Sequence, residues 1–211
     1  MAAAALPRCT VSAAARLVRQ GKVIAFPTET AYGLAVDPLD RSALARLFAA
    51  KGRPPDKPVL VLVASETMLA GLVREIPAPY RPLMALAWPG PLTLVFPARP
   101  GLPSLLTGGT DTIGVRISSH PLAQQLVAAV GGPVTATSAN RSGEEPARSA
   151  AEVEAQLAGR IHGLVDGGAT AATGVSTIVG LDRRGRLRCV RPGAIPFAAV
   201  REIARSRSAA R

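Results

Sequence analysis

The chain has 211 residues and a formal net charge of +11, with 48% hydrophobic and 3% aromatic residues. That length and apolar content suit one domain with a sizeable core and exclude a chain disordered throughout. Four Phe, two Tyr and one Trp are too few for a base-stacking platform, and no apolar run approaches the roughly 20 residues that a membrane helix needs.

Strand-like and helix-like segments alternate. Thr10 or Ser12 caps a helix through Leu17 and Val18 that stops at Gly21, and residues 22–26 read as a short buried strand ended by Pro27. Asp40 caps a helix through Leu44, Leu47 and Phe48, broken at Gly52 and Pro54. The apolar run 59–63 suits a strand covered on both faces. Ser65 caps another helix. Residues 92–96, 113–117 and 134–137 are strands, with a helix over 121–130 between the last two. Ser149 and Glu152 form a capping-box pattern that opens a helix through Val153 and Leu157. Residues 161–165, 176–179 and 187–190 read as late strands, and a short helix starts at Pro196. The order predicts an α/β domain with a twisted mixed β-sheet flanked by helices. The Gly-rich stretch 101–111 is expected to be a mobile loop.

Charge is uneven. From Asp182 to Arg211 there are nine Arg against two acids, a net +7, which leaves +4 for the first 181 residues. Such an end can attract RNA, and it can equally be a solvated terminus. Only three of the 25 cations are Lys, namely Lys22, Lys51 and Lys57, and two of them share one short segment. Cys9 and Cys189 show no metal-ligand or CxxC spacing and read as free thiols of a reducing compartment. The first ten residues lack a secretory pattern, so the expected location is cytoplasmic.

Several segments carry chemistry in their residue types. PTETAYG (27–33) follows a strand and sets two hydroxyls and a carboxylate beside Gly33, which would let backbone approach a ligand; it can also be a self-satisfied turn. KGRPPDK (51–57) offers three cations in a Gly/Pro setting, suited to a polyphosphate or to solvent. It is neither a Walker A nor a Rossmann loop. Arg116 on the strand TIGVR is costly to bury without an anionic partner, unless it faces outward. TATSANRSG (135–143) crowds small hydroxyls and Asn140 at a strand end, as a phosphate cradle or an Asx turn. TGVST (173–177) and RPG (191–193) are weak signals alone. His120, before Pro121, reads as a helix-start residue, and His162 has no partner pattern. No residue pattern suggests a metal site.

FPTETAYGLAVD (26–37), KGRPPDKPVLVLV (51–63), WPGPLTLVF (88–96), TIGVRISSHP (112–121), PVTATSANRSG (133–143), STIVGL (176–181) and VRPGAI (190–195), in this order, resemble the YrdC / threonylcarbamoyl-AMP synthase family in its short form. The resemblance spans residues 12–196 and leaves 197–211 as a basic C-terminal helix or tail. It implies a positively charged cleft and a nucleotidyltransferase that joins L-threonine, bicarbonate and ATP into threonylcarbamoyl-AMP, releasing pyrophosphate. The product would serve N6-threonylcarbamoyladenosine formation at position 37 of ANN-decoding tRNAs through downstream transfer proteins. By the same likeness Lys51, Arg53, Ser138 and Asn140 would be catalytic. Lys51, Arg53, Lys57, Thr112, Ser138, Asn140 and Arg191 would meet ATP, and Thr30, Arg116, Ala136 and Ser176 would meet threonine. Mg²⁺ would ride mainly on the ATP phosphates. Many members have His where this chain has Leu62, which keeps open a paralogue with another acceptor. An RNA-binding module is the other alternative.

Overall fold

A computed structural model describes residues 5–170 and 174–206. The capping signals set the helices. Thr10 accepts a hydrogen bond from the Ala13 amide ahead of α1 (Val11–Arg19), and Asp40 accepts from the Ser42 and Ala43 amides ahead of α2 (Arg41–Lys51). α2 ends on Gly52, whose φ of +62° is the left-handed closure that favours glycine. Ser65 caps α3 (Glu66–Ala70) and Ser149 caps α7 (Ala150–Leu157), the latter with Glu152 bonding back to the Arg148 amide and the Ser149 hydroxyl. α6 (Pro121–Val130) begins at His120, whose Nδ1 accepts from the Leu122 amide.

The strands form two mixed sheets. One has the order β7 (Thr137–Ser138), β2 (Gly33–Ala35), β1 (Ile24–Phe26), β8 (Gly163–Leu164). The other runs β10 (Leu187–Arg191), β9 (Thr177–Leu181), β4 (Leu92–Pro97), β5 (Thr112–Arg116), β3 (Val61–Leu62), β6 (Val134–Thr135). The segment expected to be one strand over 134–137 therefore divides at Ala136 and serves both sheets. Thr135, fully buried, ties them: its amide donates to Val36 O, and its hydroxyl donates to Leu34 O and accepts from the Val36 amide. The Ala136 amide donates to Leu60 O at 2.8 Å.

Two apolar clusters cover the sheets. The larger holds Leu44 and Leu47 of α2, Leu94 and Phe96 of β4, and Val153 and Leu157 of α7. The smaller sets Ala14 and Val18 of α1 and Leu126 of α6 against Ile24 and Phe26. Ala25 joins the larger cluster, so β1 is buried on both faces.

Several expectations are corrected. The strands expected over 22–26 and 59–63 are only three and two residues long. The middle of 101–111 is packed rather than a plain loop: α5 (Ser104–Thr107) buries Leu106, the Val59 amide bonds to Leu106 O, and Gly108 lies so close to Asp56 O that no side chain fits, whereas Gly101 and residues 109–111 are exposed. α4 (Arg81–Ala87) has no counterpart in the sequence reading. The helix expected after Pro196 is present as α8 (Phe197–Ser206), and its fully buried Val200 joins the larger apolar cluster.

Candidate active site

A cavity of about 360 Å³ opens where the sheets share the 134–138 segment. Thr30, Arg53, Thr112, Arg116, Ala136, Ser138, Ser176 and Arg191 all line it, although they come from six separate stretches of chain. Lys51, Lys57 and Asn140 do not.

Arg116 ends β5 and is 3% exposed. Its Nη1 donates to Glu29 Oε1 at 3.1 Å and to the Thr30 hydroxyl at 3.4 Å. Glu29 also accepts from Ser118, itself buried. Burial lowers the Arg116 pKa and the Glu29 charge raises it. The guanidinium remains ionised, as arginines in proteins do. Thr30 is fixed by Thr28, whose hydroxyl lies 3.0 Å from that of Thr30 and donates to Ala31 O. The PTET turn is thus self-satisfied and lines the cavity as well. Gly33 owes its lack of a side chain to packing: a Cβ would press on the Phe26 ring at 3.2 Å.

Arg191 ends β10 and also lines the cavity. Its Nη2 donates to Ser176 O at 2.8 Å and to the Ser176 hydroxyl at 3.1 Å. The Ser176 hydroxyl also accepts from the fully buried Thr93. Burial, then the neighbouring Arg116 charge, lowers the Arg191 pKa. Gly193 lets the chain return against β9; a Cβ there would sit 2.3 Å from Val175 O and 2.5 Å from the Thr177 nitrogen.

Among the described residues, the buried side-chain nitrogens without a hydrogen-bond partner are Arg116 Nε and Arg191 Nε. Buried donors are normally paired. Both arginines line the cavity, and two incompletely paired guanidinium groups in one cavity suit anionic ligands, which accept charge-assisted hydrogen bonds.

The KGRPPDK segment divides. Lys51, 3% exposed, points its ammonium at Ser138 O, Asn140 O and Asn140 Oδ1. Burial, then the Arg53 charge, lowers it to about 7. Beyond the Gly52 turn, Arg53 faces the cavity, held by Lys57 O at 3.3 Å and Pro58 O at 2.8 Å. Lys57 is exposed and contributes that carbonyl. Asn140 Nδ2 donates to Arg141 O and Glu144 O, inside its own loop. Leu62 lies in the smaller apolar cluster, not in the cavity wall. Thr173, at the head of TGVST, lies outside the described residues.

Sequence reading noted the Glu29 carboxylate only as one group of its segment, without its role, and did not single out Ser118 and Thr93. Each acts through a partner distant in the chain, as in the 87-residue separation of Glu29 and Arg116. The one available signal was that an arginine on an apolar strand demands an anion. His162 accepts from the Val23 amide and lies outside the cavity lining. Among the described residues no group of three His, Cys, Asp or Glu could hold a metal ion.

The family model described as Telomere recombination, covering Sua5, YciO and YrdC proteins, matches residues 16–193. A threonylcarbamoyl-AMP synthase of Pyrococcus abyssi is 40% identical over 190 residues, 90% of this chain and 56% of the relative. One of Halorhodospira halophila is 44% identical over 154 residues, 73% of this chain and 81% of the relative. This chain thus spans little more than half the length of the archaeal relative. The crystal structure of P. abyssi Sua5 complexed with L-threonine superimposes with a TM-score of 0.88 at 40% identity, over 92% of this chain and 56% of that one. With 178 of its residues under one family model and a fold that follows a relative at such identity, the chain belongs to the Sua5/YciO/YrdC family.

Proposed function

We propose that this chain is an L-threonylcarbamoyladenylate synthase acting in the cytoplasm. The observation that carries the reading is that Arg116 and Arg191, two half-satisfied and largely buried guanidinium groups, line one cavity together. The relatives' shared name and the threonine complex of P. abyssi Sua5 support it.

Threonine binds on the Arg116 side. Its carboxylate accepts from Arg116, and Thr30, Ser176 and the backbone at Ala136 contact the rest of the molecule. ATP lies toward Arg53, Arg191, Ser138 and Thr112, where the cations offset phosphate charge. The threonine amine attacks the bicarbonate carbon, and loss of water leaves a carbamate. A carbamate oxygen then attacks the α-phosphorus in line, and pyrophosphate leaves with the bonding electrons. The chain supplies position and charge complementarity, which suffice for much of such a transfer. Mg²⁺ fits as a passenger on the triphosphate, since the cavity offers guanidinium groups and hydroxyls rather than carboxylates; when bound it offsets phosphate charge. The product passes to proteins that modify tRNA.

Incubation with ATP, threonine, bicarbonate and Mg²⁺, followed by mass spectrometry, tests this. Threonylcarbamoyl-AMP and pyrophosphate should appear only when all three substrates are present. Arg53→Ala should lower kcat/KM by about tenfold to 150-fold, the worth of one charge-assisted contact. ATP turnover indifferent to threonine would refute the reading, and turnover with serine in its place would indicate a different acceptor.

A further inference from the structure

We infer that Lys51 is a positioning residue whose ammonium staples the 138–144 loop, and that it acts on the substrates only through that loop. An ammonium has three hydrogens. Three oxygens converge on Lys51 Nζ: Ser138 O, Asn140 O at 2.7 Å and Asn140 Oδ1 at 3.3 Å. None is left for a phosphate. The main chain completes the joint, since the Ser142 amide donates to Lys51 O at 2.8 Å. Asn140 is spent in the same way, with its oxygen on Lys51 and its amide nitrogen on Arg141 O and Glu144 O.

Ser138, by contrast, lines the cavity. It is held from both sides, by Lys51 at the end of α2 and by pairing with Gly33 in β2, while the next amide, Ala139, donates to Tyr32 O at 2.7 Å. The Gly52 turn separates the two cations, so Lys51 faces inward to the loop and Arg53 faces the cavity. The choice of lysine, in a chain with 22 Arg and three Lys, follows from shape. A compact tetrahedral donor serves three converging oxygens, and a planar fork does not. The staple stands without the proposed function; its effect on turnover rests on that reading.

The test uses intact protein labelled with ¹⁵N-lysine at pH 6, where only three lysines contribute signals. In the free protein one ammonium should exchange slowly and show through-hydrogen-bond couplings to the carbonyl carbons of Ser138 and Asn140. Those couplings should persist once calorimetry shows ATP saturation. Their absence in the free protein, their loss on ATP binding, or a coupling to phosphorus overturns the inference. A protein that keeps the couplings and fails to bind ATP sinks the proposed function and leaves the staple standing.

Lys51→Met should speed hydrogen exchange of the 138–144 amides by at least about tenfold. Lys51→Arg should be no more active than Lys51→Met. Rescue by arginine, the better phosphate fork, would make Lys51 a phosphate ligand and refute the staple. If Lys51→Met does not fold, the wild-type spectra decide.

Discussion

A guanidinium sealed from water is stable only with matched acceptors, and Arg116 obtains one from Glu29, whose side chain is 16% exposed. Breaking a fully buried pair costs about 3–5 kcal/mol; the partial exposure of Glu29 reduces this. Glu29→Gln should therefore destabilise the protein by about 1–3 kcal/mol in urea denaturation and raise KM for threonine. A change below about 0.5 kcal/mol would mean that the carboxylate does not support Arg116. Lys51 gives a pH dependence of definite sign. Its value falls from 10.5 to about 7 on folding. Between those values the unfolded chain holds a proton that the folded chain has released, so stability should rise with pH across about 7 to 10.5. Below pH 7 both states are protonated and the slope from this group vanishes. The stability difference between wild type and Lys51→Gln, followed from pH 6 to 10, measures it. Arg116 was legible because an arginine amid apolar strand residues has to be answered chemically. Its pairing with Glu29 was not, because spacing along a chain says nothing of which loop will lie against a strand 87 residues away.

Helices announced themselves through caps. Thr10, Asp40, Ser65 and Ser149 each satisfy amides that would otherwise be orphaned, and that requirement is local. α4 was hidden because prolines at 77, 79, 82 and 89 obscure its periodicity; Pro82 occupies the first turn, where a missing N–H costs nothing. β2 was hidden because three residues carry too little pattern and begin at Gly33, the last residue of a segment read as a ligand loop. The β9–β10 pair holds the clearest steric constraint. Gly193 passes so close to Val175, Ser176 and Thr177 that a methyl group would meet backbone. Gly193→Ala should cost about 1–3 kcal/mol. By displacing Ser176 it should also weaken threonine binding, whereas wild-type melting and wild-type KM together would show that this crossing yields without consequence.

The α/β alternation of the whole molecule was visible in the sequence, and its partition into two sheets was not. A strand-like stretch such as 134–137 looks the same whether one sheet or two receive it. The basic C-terminal stretch, read as a helix or tail, carries α8, in which Val200 is fully buried and Phe197 and Ile203 pack on the main core. Removing 197–211 should therefore lower the melting temperature, with at least the roughly 1.5 kcal/mol that burying one valine supplies. An unchanged melt would mean that α8 is dispensable. Neutralising the exposed Arg183 and Arg184 is the gentler way to ask whether this end binds RNA. The shared 134–138 segment has a final consequence. Thr135 belongs to one layer and Thr137 to the other, and two residues of extended chain reach only about 7 Å. The covalent link holds the two sheets together at this seam: Ser138 follows it directly, and Arg116 is reached from β6 through the hydrogen-bonded β3, so under the proposed function the spacing of the two reacting partners is set by one bonded segment and two strand pairings before either arrives.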